Sequence, residues 1–215
     1  MKSMMRNYFK TIVYLVASIA FSPAYAGSYE DFFSALRNDN ASNLGDLLAR
    51  GFDPNTRDPK GNPGLTIALQ ERSPKVVKLL LAQPGIDVNA LNQAGESALM
   101  MAALKGDSVG VQALLDRGAR VDQPGWAALH YAATGPEPKL LQLLLDRGAA
   151  IDAASPNGTT ALMMAAQYGS EDSVKLLLAR GANVALRNER NLGAIDFARL
   201  SGREPVVKRI ESAQR

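Results

Sequence analysis

The chain of 215 residues contains no cysteine, and it has a single histidine and a single tryptophan. The absence of cysteine excludes a disulfide framework and a lipid-modified cysteine. His130 has no pair of Asp or Glu residues at ligand spacing beside it, so the side chains of a metal site are missing. Ser97, Ser155 and Ser173 have no base and orienting acid at a recognisable spacing. We therefore expect no catalysis, no metal and no cofactor.

Long apolar runs are also missing, except near the start of the chain. Residues 11–21 are uncharged and mostly apolar, and the small-x-small pattern of a signal-peptidase site ends at Ala26. The basic residues that precede this run are Lys2, Arg6 and Lys10. The sequence predicts a cleavable signal peptide over residues 1–26, cut between Ala26 and Gly27. The run is about half the roughly 20 residues that cross a bilayer, so a retained membrane anchor is the weaker alternative.

Without the predicted leader, the chain has no excess of basic over acidic residues. The whole chain has 24 Lys and Arg residues against 21 Asp and Glu residues, and the three leader cations account for the difference. A balanced charge argues against binding to nucleic acid or to a membrane surface, where clusters of basic residues are expected. No later stretch is apolar enough to span a bilayer, so we expect no stable membrane insertion after cleavage. We predict a bacterial periplasmic protein, with secretion into the medium as the alternative.

A pattern that recurs about every 33 residues dominates the rest of the chain. Each copy has a Leu, an Ala pair three residues later, a run of leucines and a Gly. The first landmark residues are Leu65, Leu99, Leu129, Leu162 and the weaker Ile195, and the closing glycines are Gly51, Gly85, Gly118, Gly148 and Gly181. A fixed period of this length predicts a stacked solenoid, in which each unit buries its apolar face against its neighbours.

Within one unit, residues 95–122, the pattern predicts a helix, a turn, a second helix and an extended segment. Ser97 is placed to cap the first helix, and Leu99 begins an apolar stripe at helical spacing. Gly106 and Asp107 form the turn, and Gly118 lies where a left-handed residue ends the second helix. The segment that follows Gly118 is predicted to project from the stack, and we call each such segment a finger.

These motifs resemble the ankyrin pattern G-x-T-P-L-H-x-A-A. The matching segments are GNPGLTIAL (61–69), GESALMMAA (95–103), GWAALHYAA (125–133) and GTTALMMAA (158–166). The resemblance implies an all-α solenoid of helix-turn-helix units with short extended fingers. Over residues 27–215 it implies an N-terminal cap (27–57), repeat 1 (58–90), repeat 2 (91–123), repeat 3 (124–154), repeat 4 (155–187) and a C-terminal cap (188–215).

Several positions depart from the family pattern. The Thr and His of T-P-L-H help to tie neighbouring ankyrin units by hydrogen bonds, but Met100 and Met163 stand at the His position here. Only His130 keeps it, and Ala127 replaces the Thr, so we expect that polar link to be lost and His130 to be a packing residue. Four residues stand where the family has a Leu of the core, and we expect them to be buried: Ile67, Met101, Tyr131 and Met164.

The finger between repeats 2 and 3 is short. Four junctions place 14 steps between the closing Gly and the next landmark residue, whereas only 11 steps separate Gly118 from Leu129. Residues 122–125 are therefore too few for the usual projecting hairpin, and Pro124-Gly125 favours a tight turn. Trp126 follows directly. Its ring either is exposed to a partner or folds back over the gap that the short finger leaves.

Ankyrin proteins typically bind protein partners with their fingers and with the outward ends of their first helices. Carried over by position, the resemblance gives a set of candidate partner-binding residues: Glu71, Glu96, Leu104, Lys105, Trp126, Gln167 and Tyr168. Leu104, Trp126 and Tyr168 are large apolar residues at places that the fold tends to expose, which is typical of an interface hot spot.

The sequence thus predicts a non-enzymatic scaffold for protein-protein interaction. We expect it to bind an exported or envelope protein in the periplasm through its concave face and fingers, and to be monomeric alone. The alternative is a secreted effector that mimics host ankyrin scaffolds. The identity of the partner cannot be computed from one chain, because one scaffold serves unrelated partners.

Overall fold

The computed structural model describes residues 23–214, and side chains from residue 27 onward. This part of the chain forms twelve helices and no extended strand beyond isolated bridges. The helices are α1 Pro23–Arg37, α2 Ala41–Ala49, α3 Gly64–Gln70, α4 Pro74–Leu81, α5 Ala98–Lys105, α6 Ser108–Asp116, α7 Ala128–Thr134, α8 Lys139–Asp146, α9 Ala161–Tyr168, α10 Glu171–Ala179, α11 Ala194–Leu200 and α12 Glu204–Ala213.

Each helix pair is bounded by the residues that the sequence pattern indicates. The Ser97 hydroxyl accepts a hydrogen bond from the backbone N–H of Met100 at 3.3 Å and caps α5. The chain leaves α5 through Gly106 at φ 71°, and the Asp107 carboxylate caps α6 by accepting from the N–H of Gly110 at 2.9 Å. Gly118, at φ 83°, follows α6. The predicted helix-turn-helix unit is confirmed.

The helices form two rows. The first helices of the pairs (α3, α5, α7, α9 and α11) lie closer to one another than the second helices do. The Ala pairs of the first helices, such as Ala102 and Ala103, are fully buried, and their small side chains permit this close approach. The stack therefore curves, with the first helices on its concave side. A single apolar core runs along it from Phe32 to Ile210.

Both ends of the stack are covered by divergent helix pairs, as the sequence predicts. At the N-terminal end, Phe32, Ala35 and Leu47 are buried between α1 and α2 and the first repeat. At the C-terminal end the buried residues are Ala198, Val206, Val207 and Ile210, while Ile195 is partly buried. Arg203 also donates hydrogen bonds to the carbonyls of Ala165 and Ala166 at 2.9 Å, which ties the C-terminal cap to the last turn of α9.

Side chains at the finger bases join each unit to the next. The side-chain amide oxygen of Asn55 accepts a hydrogen bond from the backbone N–H of Asp87 at 2.8 Å. That of Asn89 accepts one from the backbone N–H of Arg120, also at 2.8 Å. Carboxylates continue the series, because Asp122 accepts from Ala150 and Asp152 from Asn183, each at 2.9 Å. We call this series the finger-base ladder. It is uninterrupted from repeat 1 to repeat 4.

The finger tips are hairpins with one exception. In four fingers a backbone N–H bonds the carbonyl four residues later, and these bonds are Asp58 to Asn62, Asn92 to Glu96, Ser155 to Thr159 and Asn188 to Leu192. Residues 122–126 form no such bond, and Gly125 turns the chain at φ 89°. The prediction of a short, tightly turned finger is confirmed. A second irregularity is in repeat 1, where the leucine run and the closing Gly are one residue further apart than in repeats 2 to 4. The extra residue, near Gln83, falls in the exit turn after α4, which ends at Leu81.

The predicted signal peptide lies mostly outside the described residues. Its cleavage point, between Ala26 and Gly27, falls in the first turns of α1 and stays a prediction. Among residues 23–214, no helix has both the length and the apolar character needed to cross a bilayer.

Candidate functional site

A cleft of about 330 Å³ opens on the concave side of repeats 2 to 4. Its lining is mostly apolar and aromatic, and we call it the aromatic cleft. The lining residues are Leu104, Trp126, His130, Tyr131, Thr134, Met164 and Tyr168. They come from three successive first helices, α5, α7 and α9, and from the residue that follows the short finger.

Trp126 forms one wall of the aromatic cleft. Its ring packs edge-on against His130 and Tyr131, with centroid separations of 5.3 Å and 6.3 Å and interplanar angles of 77° and 78°. The side chain is half-buried. Part of the ring therefore packs on α7 and part of it borders the cleft, which combines the two interpretations that the sequence left open.

Leu104 and Tyr168 form the flanking walls, from the last turns of α5 and α9. Tyr168 is 62% exposed and Leu104 is 36% exposed. Five large apolar residues of the described chain are exposed to this extent, and two of them border the same cleft. Such residues gain free energy when a partner removes them from water.

A hydrogen bond between repeats fixes the floor of the cleft. The Tyr131 hydroxyl donates to one carboxylate oxygen of Glu96 at 2.8 Å, and the Asn92 amide donates to the other at 2.8 Å. Burial, together with this bond and the negative charge of Glu96, raises the pKa of Tyr131. Tyr131 is therefore held as a neutral phenol whose ring position is set by the preceding finger.

His130 corrects one expectation. Its Nδ1 accepts from the backbone N–H of Ala127 at 3.1 Å, and its Nε2 lies 3.1 Å from the carbonyl oxygen of Thr159 in the next repeat. The expected loss of the polar link is wrong, because the backbone N–H of Ala127 fixes the ring where a Thr hydroxyl is absent. Burial lowers the pKa of His130, since a charged ring is poorly solvated there.

The methionines at the same position act differently. The sulfur of Met100 accepts from the backbone N–H of Ser97 at 3.4 Å, and that of Met163 accepts from the N–H of Thr160 at 3.4 Å. Neither thioether can donate to the neighbouring repeat. The ring of His130 therefore supplies a link between repeats that Met100 and Met163 cannot provide.

Four of the candidate binding residues lie outside the lining of the cleft. Lys105 and Gln167 are half-buried neighbours of Leu104 and Tyr168 in the chain, and Glu71 is exposed at the end of α3. Glu96 touches the cleft only through the hydroxyl of Tyr131. The structure thus brings Leu104, Trp126 and Tyr168 together at one cleft. The other four candidate residues do not line it.

Sequence reasoning missed four residues of the lining, which are His130, Tyr131, Thr134 and Met164. Tyr131 and Met164 were expected in the core with Ile67 and Met101, but only the latter two are buried. Tyr131 and Met164 are half-buried and border the cleft, and Thr134 follows at the end of α7. A Tyr at a Leu position was the available signal, since its hydroxyl needs a polar partner.

The serines considered for chemistry have structural partners. Ser97 caps α5, the Ser155 hydroxyl donates to Asn157 at 2.6 Å, and Ser173 is within 2.9 Å of the Ser170 hydroxyl. Over residues 23–214 no three His, Asp or Glu side chains are grouped as metal ligands.

A second groove, of about 790 Å³, lies on the outer face between α4 and α6. Gly110 and Ala113 of α6 leave it open, because the corresponding positions of α4 hold the larger Val76 and Leu79. Val109 at its rim is 81% exposed. No aromatic residue lines this groove.

The sequence matches the family model for ankyrin repeats (3 copies) over residues 32–124 and 111–188. Ankyrin repeat and SAM domain-containing protein 6 of Mus musculus is 35% identical over 147 residues, which are 68% of this chain and 13% of that protein. The chain therefore spans only a small part of the length of this relative.

Solved structures share the architecture. The ankyrin repeat domain of Bcl-3 is 31% identical with a TM-score of 0.69, over 84% of this chain and 81% of that chain. A chain in the structure of the endopeptidase Bd0816 from Bdellovibrio bacteriovorus in complex with immunity protein Bd3460 gives a TM-score of 0.74, over 85% of this chain and 97% of that one. Its identity is 24%, so this likeness concerns the fold alone.

Proposed function

Because this chain belongs to the ankyrin-repeat family, whose repeats are typically scaffolds for protein-protein interaction, we propose that it is a non-enzymatic scaffold that binds an exported or envelope protein in the bacterial periplasm. Binding occurs on the concave face and centres on the aromatic cleft. The protein is monomeric until it meets that partner.

One observation carries the proposal. Leu104, Trp126 and Tyr168 belong to three different repeats, yet they border one cleft of about 330 Å³. Interface hot spots are clusters of aromatic and large apolar residues in a pocket with a polar surround. Lys105 and Gln167, which are adjacent in sequence to Leu104 and Tyr168, supply polar groups.

The partner-binding role is tested by capture of proteins from an envelope fraction. Tagged native protein and the Trp126→Ala variant are compared, with Leu200→Ala as the control, because Leu200 is 68% exposed in the C-terminal cap and lies outside the cleft. We expect Trp126→Ala to lose the partner and Leu200→Ala to retain it. Equal recovery of every captured protein by all three would refute a role for the cleft.

The periplasmic location rests on the leader pattern and needs its own test. We expect release of the protein by osmotic shock, and a mature N-terminus at Gly27 by mass spectrometry. Appearance in the cytosol of a host cell would instead favour the secreted effector, and an intact N-terminus in the membrane fraction would favour a retained anchor.

A further inference from the structure

The aromatic cleft has the geometry of a cation site. The rings of Trp126 and Tyr131 stand at 78° to each other with centroids 6.3 Å apart, and Tyr168 borders the same cleft. The face of an aromatic ring carries partial negative charge and attracts a cation within about 6 Å of the centroid. A positive group placed in the angle between two nearly perpendicular rings can lie close to both of them.

Glu96 adds a negative charge that the protein does not compensate. Its carboxylate accepts hydrogen bonds from the Tyr131 hydroxyl and from the Asn92 amide, both neutral donors. Among the described residues no Lys or Arg is within salt-bridge distance of it, whereas Asp116 and Asp146 pair with Arg147 and Arg180. Glu96 is half-buried, so its field is screened less than that of a fully exposed carboxylate.

The lining supplies no cation of its own. Leu104, Thr134 and Met164 are uncharged. His130 accepts at Nδ1 from a backbone N–H, and this bond requires the neutral ring. The residues that line the cleft therefore offer no positive group to the carboxylate of Glu96, and a side chain of a partner can supply one.

We propose that the aromatic cleft takes a lysine or arginine side chain of the partner, whose charged end contacts the Trp126 and Tyr131 rings and is attracted by Glu96. This inference rests on the proposed function, because it names the chemistry of the group that the concave face binds. The apolar stem of such a side chain packs against Leu104 and Tyr168, as long basic side chains do along apolar surfaces.

Trp126 makes the test direct, because it is the only tryptophan of the chain and its indole N–H gives a single NMR signal. The signal is followed while the protein is titrated with acetyl-Gly-Lys-Gly-amide, and separately with the norleucine analogue, which has a similar stem and no charge. We expect weak binding of the lysine peptide, about tenfold tighter than that of the norleucine peptide, and weaker at high salt.

Two variants separate charge from apolar contact. Glu96→Gln keeps an oxygen for Tyr131 but removes the charge, so binding of the lysine peptide should fall several-fold while the norleucine peptide is unaffected. Tyr168→Leu keeps an apolar wall without an aromatic face, and should also weaken the lysine peptide selectively. Glu189→Gln is the matched control, because Glu189 is an exposed acidic residue in the finger of the C-terminal cap.

The outcomes distinguish this inference from the proposed function. Equal binding of the two peptides, or no effect of Glu96→Gln, would overturn selection for a cation, while the loss of partner by Trp126→Ala would still support the scaffold. If neither peptide shifts the Trp126 signal, the inference is also wrong, and the capture experiment then decides independently whether the cleft binds any partner.

Discussion

Protonation of His130 is expected to weaken the contact between repeats 3 and 4. The ring accepts from the N–H of Ala127 at Nδ1 and donates from Nε2 to the carbonyl of Thr159. A charged ring carries a proton on both nitrogens, so its Nδ1–H would point at another donor. Burial lowers the pKa of His130 from 6.5, and the hydrogen bond to the backbone of Thr159 opposes this shift without reversing it.

The sign and size of the effect follow from linkage. Between pH 6.5 and the lowered pKa of the folded ring, the histidine of the unfolded chain binds a proton that the folded protein does not bind. The free energy of unfolding therefore has its largest value in this range near neutral pH, and it decreases as the pH drops through 6.5. The loss between about pH 7.5 and pH 5.5 is on the order of 1 kcal/mol at most, and this limit applies to a folded ring that stays neutral throughout.

His130→Met is the matched variant, because Met100 and Met163 occupy the same position in repeats 2 and 4. It removes the bond to Thr159, whose carbonyl still accepts from the N–H of Ser155 at 2.9 Å and is not left unpaired. The cost near neutral pH is therefore the net value of one hydrogen bond, about 1 kcal/mol. Methionine does not titrate, so the pH dependence should disappear.

The assay is urea unfolding followed by circular dichroism at several pH values in this window. Since the chain has one histidine, no other side-chain type with an ordinary pKa near 6.5 contributes. We expect the free energy of unfolding of the native protein to exceed that of His130→Met at about pH 7.5, and to approach it at about pH 5.5. A native stability that does not change across the window, or an equal slope in the variant, would refute this account of His130.

Other perturbations test the packing and the cap. Gly169→Ala should lower the free energy of unfolding by about 1–3 kcal/mol, because an added Cβ would collide with the backbone carbonyl of Ala133. Gly45→Ala in α2 should raise the free energy of unfolding by about 0.5–1 kcal/mol, since the added Cβ would meet only Leu79, at 3.8 Å. Thermal unfolding measures the stability of both variants. Equal effects of the two substitutions would contradict the packing described here. Deletion from Arg187 onward removes α11 and α12, exposes the apolar face of repeat 4 and should cause aggregation in size-exclusion chromatography. A monomeric, fully helical truncation would show that residues 188–215 are not the cap.

The repeat spacing was sufficient to predict the fold, because a solenoid is determined by contacts between equivalent positions of neighbouring units. Leu99, Leu129 and Leu162 are buried, as their period requires, and the short finger appears where the count of residues is low. Local signals also predicted the ends of the helices, since Ser97 and Gly106 act within a single turn of chain.

The candidate site was predicted only in part. Position in the repeat was enough for Leu104 and Tyr168, which lie at the ends of first helices, and for Trp126, which follows a finger. Position in the repeat did not predict the partial exposure of Tyr131 and Met164, since the equivalent Ile67 and Met101 are buried. The bond from Tyr131 to Glu96 joins residues 35 positions apart, and nothing in the local sequence indicates it.

The finger-base ladder separates the stacking of the units from the length of their tips. Repeat 3 keeps its bond from Ala150 to Asp122 although its finger is shortened immediately after that residue. A change in finger length after the ladder residue is therefore compatible with the stacking of the units. Gln123 still donates to the carbonyl of Gly95 at 2.9 Å, so we expect loops grafted in place of Pro124 and Gly125 to change the surface beside the concave face while the stack is kept.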